Sequence, residues 1–158
     1  MIRNRPQGRI ILLMTIIIAM ILVIIPMPDS LRLFRPEWVL MTLLYWALAL
    51  PERVGIGFAW TVGLLMDMML GGTLGILAFS YALVTYLIIN FHLQLRQYPL
   101  WQQALMIMSL VLLVNVIKVI FTPMVASGYF WIPAVVSTLV WPIVYAVLRK
   151  IRRVFGVS

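Results

Sequence analysis

Residues 63–75 read Gly-Leu-Leu-Met-Asp-Met-Met-Leu-Gly-Gly-Thr-Leu-Gly, and this stretch decides how the chain is interpreted. It places one carboxylate, Asp67, inside an apolar run that ends in glycines. A charged side chain at the centre of a bilayer costs at least ~2.5 kcal/mol, even on lenient insertion scales. We therefore expect Asp67 to be paired, hydrogen-bonded or set at a protein-lined edge.

Small residues precede Asp67 at helical spacing. Steps of four back from Asp67 reach Gly63, Ala59 and Gly55, which form a stripe that lets a second helix approach closely, with the tightest contact expected near Gly63. The predicted close-packing residues are Gly55, Ala59, Gly63, Gly71, Gly72 and Gly75. Two interpretations of Asp67 stay open. It caps the glycine turn through the amides of Gly71 and Gly72, or it belongs to a site that a partner also contacts.

The composition is that of an integral membrane protein. Of 158 residues, 65% are hydrophobic and 10% charged, and the mean hydropathy is +1.11. Apolar runs this long exceed what a soluble core needs. The chain has no cysteine, which excludes disulfides, thiolate metal sites and cysteine catalysis.

The apolar runs predict an all-α fold with one polytopic domain. Its six helices are expected at residues 9–25, 37–50, 54–70, 74–91, 99–122 and 134–148. A basic start before an apolar run also describes a signal peptide, but no small-residue cleavage site precedes Pro26, which favours an uncleaved first helix. The second span is short, which indicates a tilted neighbouring helix, a thinned membrane or a helix that does not span completely. Pro142 predicts a bend in the last span.

The basic residues predict the orientation. With the N-terminus in the cytoplasm, nine lie on the inner side: Arg3, Arg5, Arg9, Arg53, Arg96, Arg149, Lys150, Arg152 and Arg153. Only Arg32 and Arg35 lie in outer loops, and Lys118 lies within a span. Both termini and the loops at 51–53 and 92–98 are therefore expected to be cytoplasmic. The same placement makes these bases orientation signals that attract anionic lipid, and argues against nucleic-acid binding.

Polar residues at matching depth suggest a cluster at the outer ends of the spans. Asp67 and Lys118 each lie roughly 6–8 Å below a helix end, which invites pairing. Lys118 could instead extend unaided to the interface. Asn115 shares its helix face, Arg35 is the alternative cation for Asp67, and Glu37 enters on the same side.

No constellation typical of an enzyme is recognisable. His92 is the single histidine among four scattered acidic residues, which makes neither a metal site nor a catalytic triad. Gly71-Gly72 lacks the lysine of a phosphate-binding loop. We expect a non-enzymatic protein with no cofactor and no metal.

The order of these features resembles the rod shape-determining MreD family. The matching segments are 34–38 (Phe-Arg-Pro-Glu-Trp), 45–55, 63–75 and 100–104 (Leu-Trp-Gln-Gln-Ala), so that the resemblance covers essentially the whole chain. The glycine–aspartate–glycine segment is its most specific part.

The resemblance implies an inner-membrane component of the cell-elongation machinery that organises lateral peptidoglycan synthesis. Its implied partners are MreC directly, and MreB, RodA and the penicillin-binding protein that works with RodA through the complex. Membrane lipid and a second copy of the chain are further expected partners. The resemblance also implies the fold of the small substrate-binding components of energy-coupling-factor transporters. That fold leaves a solute- or lipid-binding transport subunit as the alternative function.

Overall fold

The computed structural model describes residues 6–122 and 129–157, and these are helical with no strand among them. The α-helices, in chain order, are α1 Pro6–Ile24, α2 Trp38–Ala49, α3 Ile56–Leu70, α4 Ile76–Gln97, α5 Leu100–Phe121 and α6 Ile132–Val154. A short 3-10 helix, Asp29–Phe34, lies between α1 and α2. The predicted all-α class is confirmed.

Four of the helices are long and apolar enough to cross a membrane. They are α1, α4, α5 and α6, with 18 to 23 residues in the qualifying segments. A hydrocarbon core of ~30 Å needs about 20 helical residues. The helix α3 is apolar but has only 15 residues, and α2 has 12. Length and composition thus support a multi-pass membrane protein in which four helices are each long enough to cross.

The shortest helix lies at the centre of the fold. Every residue of α2 from Val39 to Leu48 is buried, and the helix packs against α1, α4 and α6. At 1.5 Å per residue it is about 18 Å long. A helix enclosed by protein does not have to match the thickness of the lipid, because neighbouring helices satisfy and cover its ends. The short helix α2 is therefore the core element of the bundle.

The most extensive helix pairs are α3 with α4 and α5 with α6. The C-terminal end of α5 lies beside the turn between α3 and α4. Between α3 and α4 the chain turns through Gly71 and Gly75, with φ of 66° and 99°. Both lie in the left-handed region, where a glycine avoids the steric cost that a side chain would incur. The turn is consequently tight enough to bring the start of α4 back against α3.

Two helices extend beyond their predicted ends. The helix α4 continues to Gln97, so most of the segment at 92–98, which was expected to be a loop, is helical, and His92 Nδ1 lies 2.5 Å from the carbonyl oxygen of Ile89. The helix α6 runs from Ile132 to Val154 and passes through Pro142 without ending. The hydroxyl of Thr138 donates to the Ala134 carbonyl, 2.8 Å away. A bend at Pro142 stays a prediction.

Candidate functional site

Asp67 is a buried carboxylate that caps the neighbouring helix. Its side chain is 3% exposed. One oxygen, Oδ2, accepts the backbone N–H groups of Gly75 at 2.9 Å and Ala78 at 3.3 Å, while Oδ1 accepts that of Leu77 at 3.2 Å. These are the N-cap, N3 and N2 positions of α4. A glycine at the N-cap has no side chain with which to cap the helix, so Asp67 supplies the missing acceptor from α3.

The negative charge also suits this position electrostatically. The first turn of a helix carries the positive end of the peptide dipoles, which favours an anion there. Hydrogen bonds to a charged acceptor are stronger than neutral ones. Capping was one of the two interpretations of Asp67 from the sequence. The donors are Gly75, Leu77 and Ala78, and not the expected amides of Gly71 and Gly72.

Gly63 makes the approach of α4 possible. A Cβ at position 63 would lie 2.5 Å from the Leu77 carbonyl oxygen and 2.6 Å from the Ala78 Cα. Both neighbours are backbone atoms, which cannot rotate away. Leu77 and Ala78, which pack on Gly63, are also two of the three residues whose N–H groups bind Asp67. Gly63 and Asp67, one helical turn apart, therefore form one contact between α3 and α4.

The other predicted close-packing positions differ from Gly63. Ala59 is fully buried on α3. A Cβ added at Gly55, Gly71, Gly72 or Gly75 would meet nothing within 4 Å. The expectation of close packing at these four glycines is corrected: Gly71 and Gly75 serve the backbone conformation of the turn. Gly55 stands just before α3 as its N-cap.

Lys118 pairs with Glu37 and not with Asp67. Its Nζ lies 3.1 Å from Glu37 Oε1, with the two side chains 30% and 21% exposed. The backbone N–H of Glu37 also donates to the Oγ of Ser137 at 3.0 Å, and Ser137 is fully buried. Glu37 thus joins α2 to both α5 and α6. The expected ion pair between Asp67 and Lys118 is wrong, because each charge has a nearer partner of its own.

Arg35 and Asn115 likewise bind the backbone. The guanidinium of Arg35 donates to the Val23 carbonyl at 2.7 Å and to the Ile25 carbonyl at 2.5 Å, which satisfies the C-terminal end of α1. Asn115 Nδ2 donates to the Phe130 carbonyl, 3.0 Å away, just before α6. The expected single cluster is therefore divided into separate contacts, and each joins two segments at one end of the bundle.

The sequence did not single out Tyr81 and Ser137 at this end. Tyr81 on α4 is 1% exposed and lies within electrostatic reach of both Glu37 and Asp67. A tyrosine in an apolar helix looks like ordinary core packing, and a single serine looks like a tolerated polar residue. Neither residue type shows in the sequence that it lies beside the Asp67 and Glu37 contacts.

Two further polar residues organise the opposite end. Arg96 on α4 donates to the carbonyls of Leu48, at 2.9 Å, and Ala49, at 2.7 Å, and so caps the C-terminus of α2. Gln103 on α5 is 4% exposed, and its Nε2 donates to the Leu95 carbonyl at 3.0 Å. The sequence identified Arg96 only as an orientation signal.

The polar side chains of the described residues serve mainly to hold the helices together. Within residues 6–122 and 129–157, no group of three or more histidine, cysteine or acidic side chains could hold a metal ion. The buried carboxylate at Asp67 is occupied by three backbone donors, which leaves it poorly placed to act as a base. Asp67, Arg35 and Arg96 bind helix termini, and Glu37 and Lys118 join neighbouring helices.

Comparison with known proteins gives matches to one family. The family model described as rod shape-determining protein MreD matches residues 5–151. A protein of Haemophilus influenzae named rod shape-determining protein MreD is 35% identical over 141 residues, which cover 87% of each chain. No solved structure matches the chain.

The match covers α1 to α5 in full and α6 as far as residue 151, and it includes Gly63 and Asp67. The names of the family and of the relative describe the determination of cell shape and name no reaction. A shape-determining role in the membrane follows for this chain. On this identity and coverage, the chain belongs to the MreD family of rod shape-determining proteins.

Proposed function

We propose that the chain is a non-enzymatic scaffold of the cell-elongation complex in the inner membrane. In this role it holds other membrane proteins together so that lateral peptidoglycan synthesis maintains the rod. MreC is the proposed direct partner. MreB, RodA and the penicillin-binding protein that works with RodA are reached through the complex, and a second copy of the chain is a further candidate.

One observation carries this proposal: the polar groups at the helix ends bind within the chain. Asp67 caps α4, Glu37 pairs with Lys118, and Arg96 caps α2. Because these side chains are bonded to other parts of the chain, they hold the bundle together and are not available to act on a substrate. A rigid, largely apolar bundle suits a protein whose work is to present helix surfaces to neighbouring membrane proteins.

The proposed orientation places both termini in the cytoplasm. The C-terminal bases belong to the last two turns of α6, and Arg96 lies at the same end of the bundle. The Asp67 and Glu37 contacts lie at the opposite end, which then faces the periplasm. The positive-inside tendency supports this assignment. Six crossings, with α2 enclosed by neighbouring helices and α3 packed against α4, belong to the same proposal.

The alternative is a solute- or lipid-binding subunit of a transporter, as the implied resemblance to energy-coupling-factor components suggests. Transporters commonly bind polar substrates near the midplane, between broken helices. Here the longest helices are continuous, and Asp67 and the Glu37–Lys118 pair lie at helix ends. The scaffold is therefore the better-supported function.

Co-purification separates the two functions. The full chain, tagged and co-expressed with full-length MreC, is expected to retain MreC in a fixed ratio in mild detergent, while an unrelated single-span protein at equal expression is lost. Native mass spectrometry of the same sample measures bound small molecules. A stoichiometric soluble solute together with no retained MreC would contradict the scaffold and support the transport subunit.

A further inference from the structure

A basic cavity opens at the end of the bundle where α2, α4 and α6 end and α5 begins. Its volume is about 340 Å³, at the small end of the range for ligand sites. Tyr45 and Gln103 line it together with four arginines. The arginines are Arg96, Arg149, Arg152 and Arg153.

The charge in this cavity is not balanced by acidic side chains. Among residues 6–122 and 129–157, the salt bridges are Asp29–Arg32 and Glu37–Lys118, and neither involves the cavity. Arg96 is held by the carbonyls at the end of α2, and Arg152 lines the cavity beside Tyr45. Several guanidinium groups that converge on one space repel one another, and a bound anion offsets that repulsion.

Gln103 adds a second, independent requirement. The residue is 4% exposed, and its Nε2 is oriented by the Leu95 carbonyl. Its Oε1 is buried with no hydrogen-bond partner in the described chain. An unsatisfied buried acceptor is costly, which favours a ligand that brings a donor. The cavity therefore favours an anionic ligand that also carries an O–H or N–H group.

We propose that this cavity binds a phosphate group whose substituent carries a hydroxyl. Guanidinium groups hold phosphate oxygens through paired hydrogen bonds, and the hydroxyl would donate to Gln103 Oε1. The head group of a glycerol-bearing anionic phospholipid and a soluble glycerol phosphate share this chemistry. The site goes beyond the scaffold role and does not depend on it.

Simple interfacial anchoring makes a different prediction. Basic residues that only hold a helix end at the membrane surface act through their charge, so that any base at this end is equivalent to any other. Lys150 provides the matched comparison, because it lies between Arg149 and Arg152 on α6 but does not line this cavity. Replacing Lys150 or Arg152 with glutamine removes the same charge from the same helix turn.

The test measures ligand binding to the full purified chain in phosphatidylcholine nanodiscs. Phosphatidylglycerol is expected to bind one per chain and about tenfold more tightly than phosphatidylmethanol, which has the same charge but no hydroxyl. Arg152→Gln is expected to weaken this binding about tenfold, and Lys150→Gln by less than about twofold. Soluble glycerol phosphate is the third probe. If it binds as tightly as the lipid, the source is soluble and the proposed chemistry holds.

Either of two results would overturn the proposal. One is equal binding of phosphatidylglycerol and phosphatidylmethanol, which would remove the role of Gln103. The other is an equal effect of Arg152→Gln and Lys150→Gln, which would reduce the cavity to general surface charge. Loss of MreC binding bears only on the scaffold proposal, so failure of one proposal is distinguishable from failure of the other.

Discussion

Gly63 on α3 and Ala78 on α4 lie so close that a Cβ at position 63 would be 2.6 Å from the Ala78 Cα. The N–H of Ala78 is also one of the three donors to Asp67. The glycine permits the approach, and the carboxylate one turn later satisfies the helix end that the approach buries. The two residues are thus parts of one structural unit.

Gly63→Ala is expected to destabilise the protein by about 1–3 kcal/mol, because the added methyl group meets backbone atoms that cannot move aside. Gly57 provides the control on the same helix, since a Cβ there meets nothing within 4 Å. Gly57→Ala is expected to leave the thermal midpoint unchanged or slightly higher. Unfolding in detergent, followed by tryptophan fluorescence, measures both. Equal midpoints for the two variants would contradict the close contact.

Asp67→Ala is expected to cost about 2 kcal/mol, because it leaves the N–H groups of Gly75, Leu77 and Ala78 without their acceptor. Asp67→Asn is expected to be milder, since one amide oxygen can still accept. Hydrogen–deuterium exchange gives a local readout: faster exchange should be confined to the first turn of α4. Faster exchange around Lys118 instead would support an ion pair between Asp67 and Lys118 and contradict the capping role.

Glu37 and Lys118 are expected to be energetically coupled. In a double-mutant cycle with Glu37→Gln and Lys118→Met, the two changes should deviate from additivity by up to about 1 kcal/mol, because the pair is partly exposed to solvent. The matched cycle of Asp67→Asn with Lys118→Met should be additive. Coupling in the second cycle and none in the first would reverse the assignment of partners.

Orientation is tested by single cysteines in this cysteine-free chain. Ser30 and Glu52 are both exposed and lie at opposite ends of the bundle. An impermeant thiol reagent added from the periplasmic side is expected to label Ser30→Cys and to spare Glu52→Cys until the membrane is permeabilised. The reverse pattern would place the basic end outside and contradict the proposed topology.

The sequence predicted the helical class and the significance of Asp67, because both depend on local properties. Long apolar runs require helices in lipid, and a lone carboxylate among them requires hydrogen-bond donors. The close approach at Gly63 likewise follows from small residues at four-residue spacing. In each case the pattern that carries the information lies within one helix.

The partners could not be predicted because they depend on which helices are neighbours. Two acidic residues and two cations lie at similar depth, so depth allows several pairings. The packing of α2 and α5 against α6 brings Lys118 to Glu37, and the packing of α4 against α3 leaves Asp67 to the start of α4. The unpaired Oε1 of Gln103 could not be predicted for the same reason, because it depends on how α5 packs against the end of α4.

The central claim is that the polar residues of this chain support its architecture and that its role in cell shape depends on the folded bundle. The most direct test replaces the endogenous protein with Gly63→Ala, Asp67→Asn, Asp67→Ala and Glu37→Gln in turn, and measures cell width together with the amount of folded protein in the membrane. All variants are expected to fall on one curve, on which width increases as folded protein decreases. A buried variant such as Asp67→Ala that is folded at the wild-type level but gives round cells would contradict the claim.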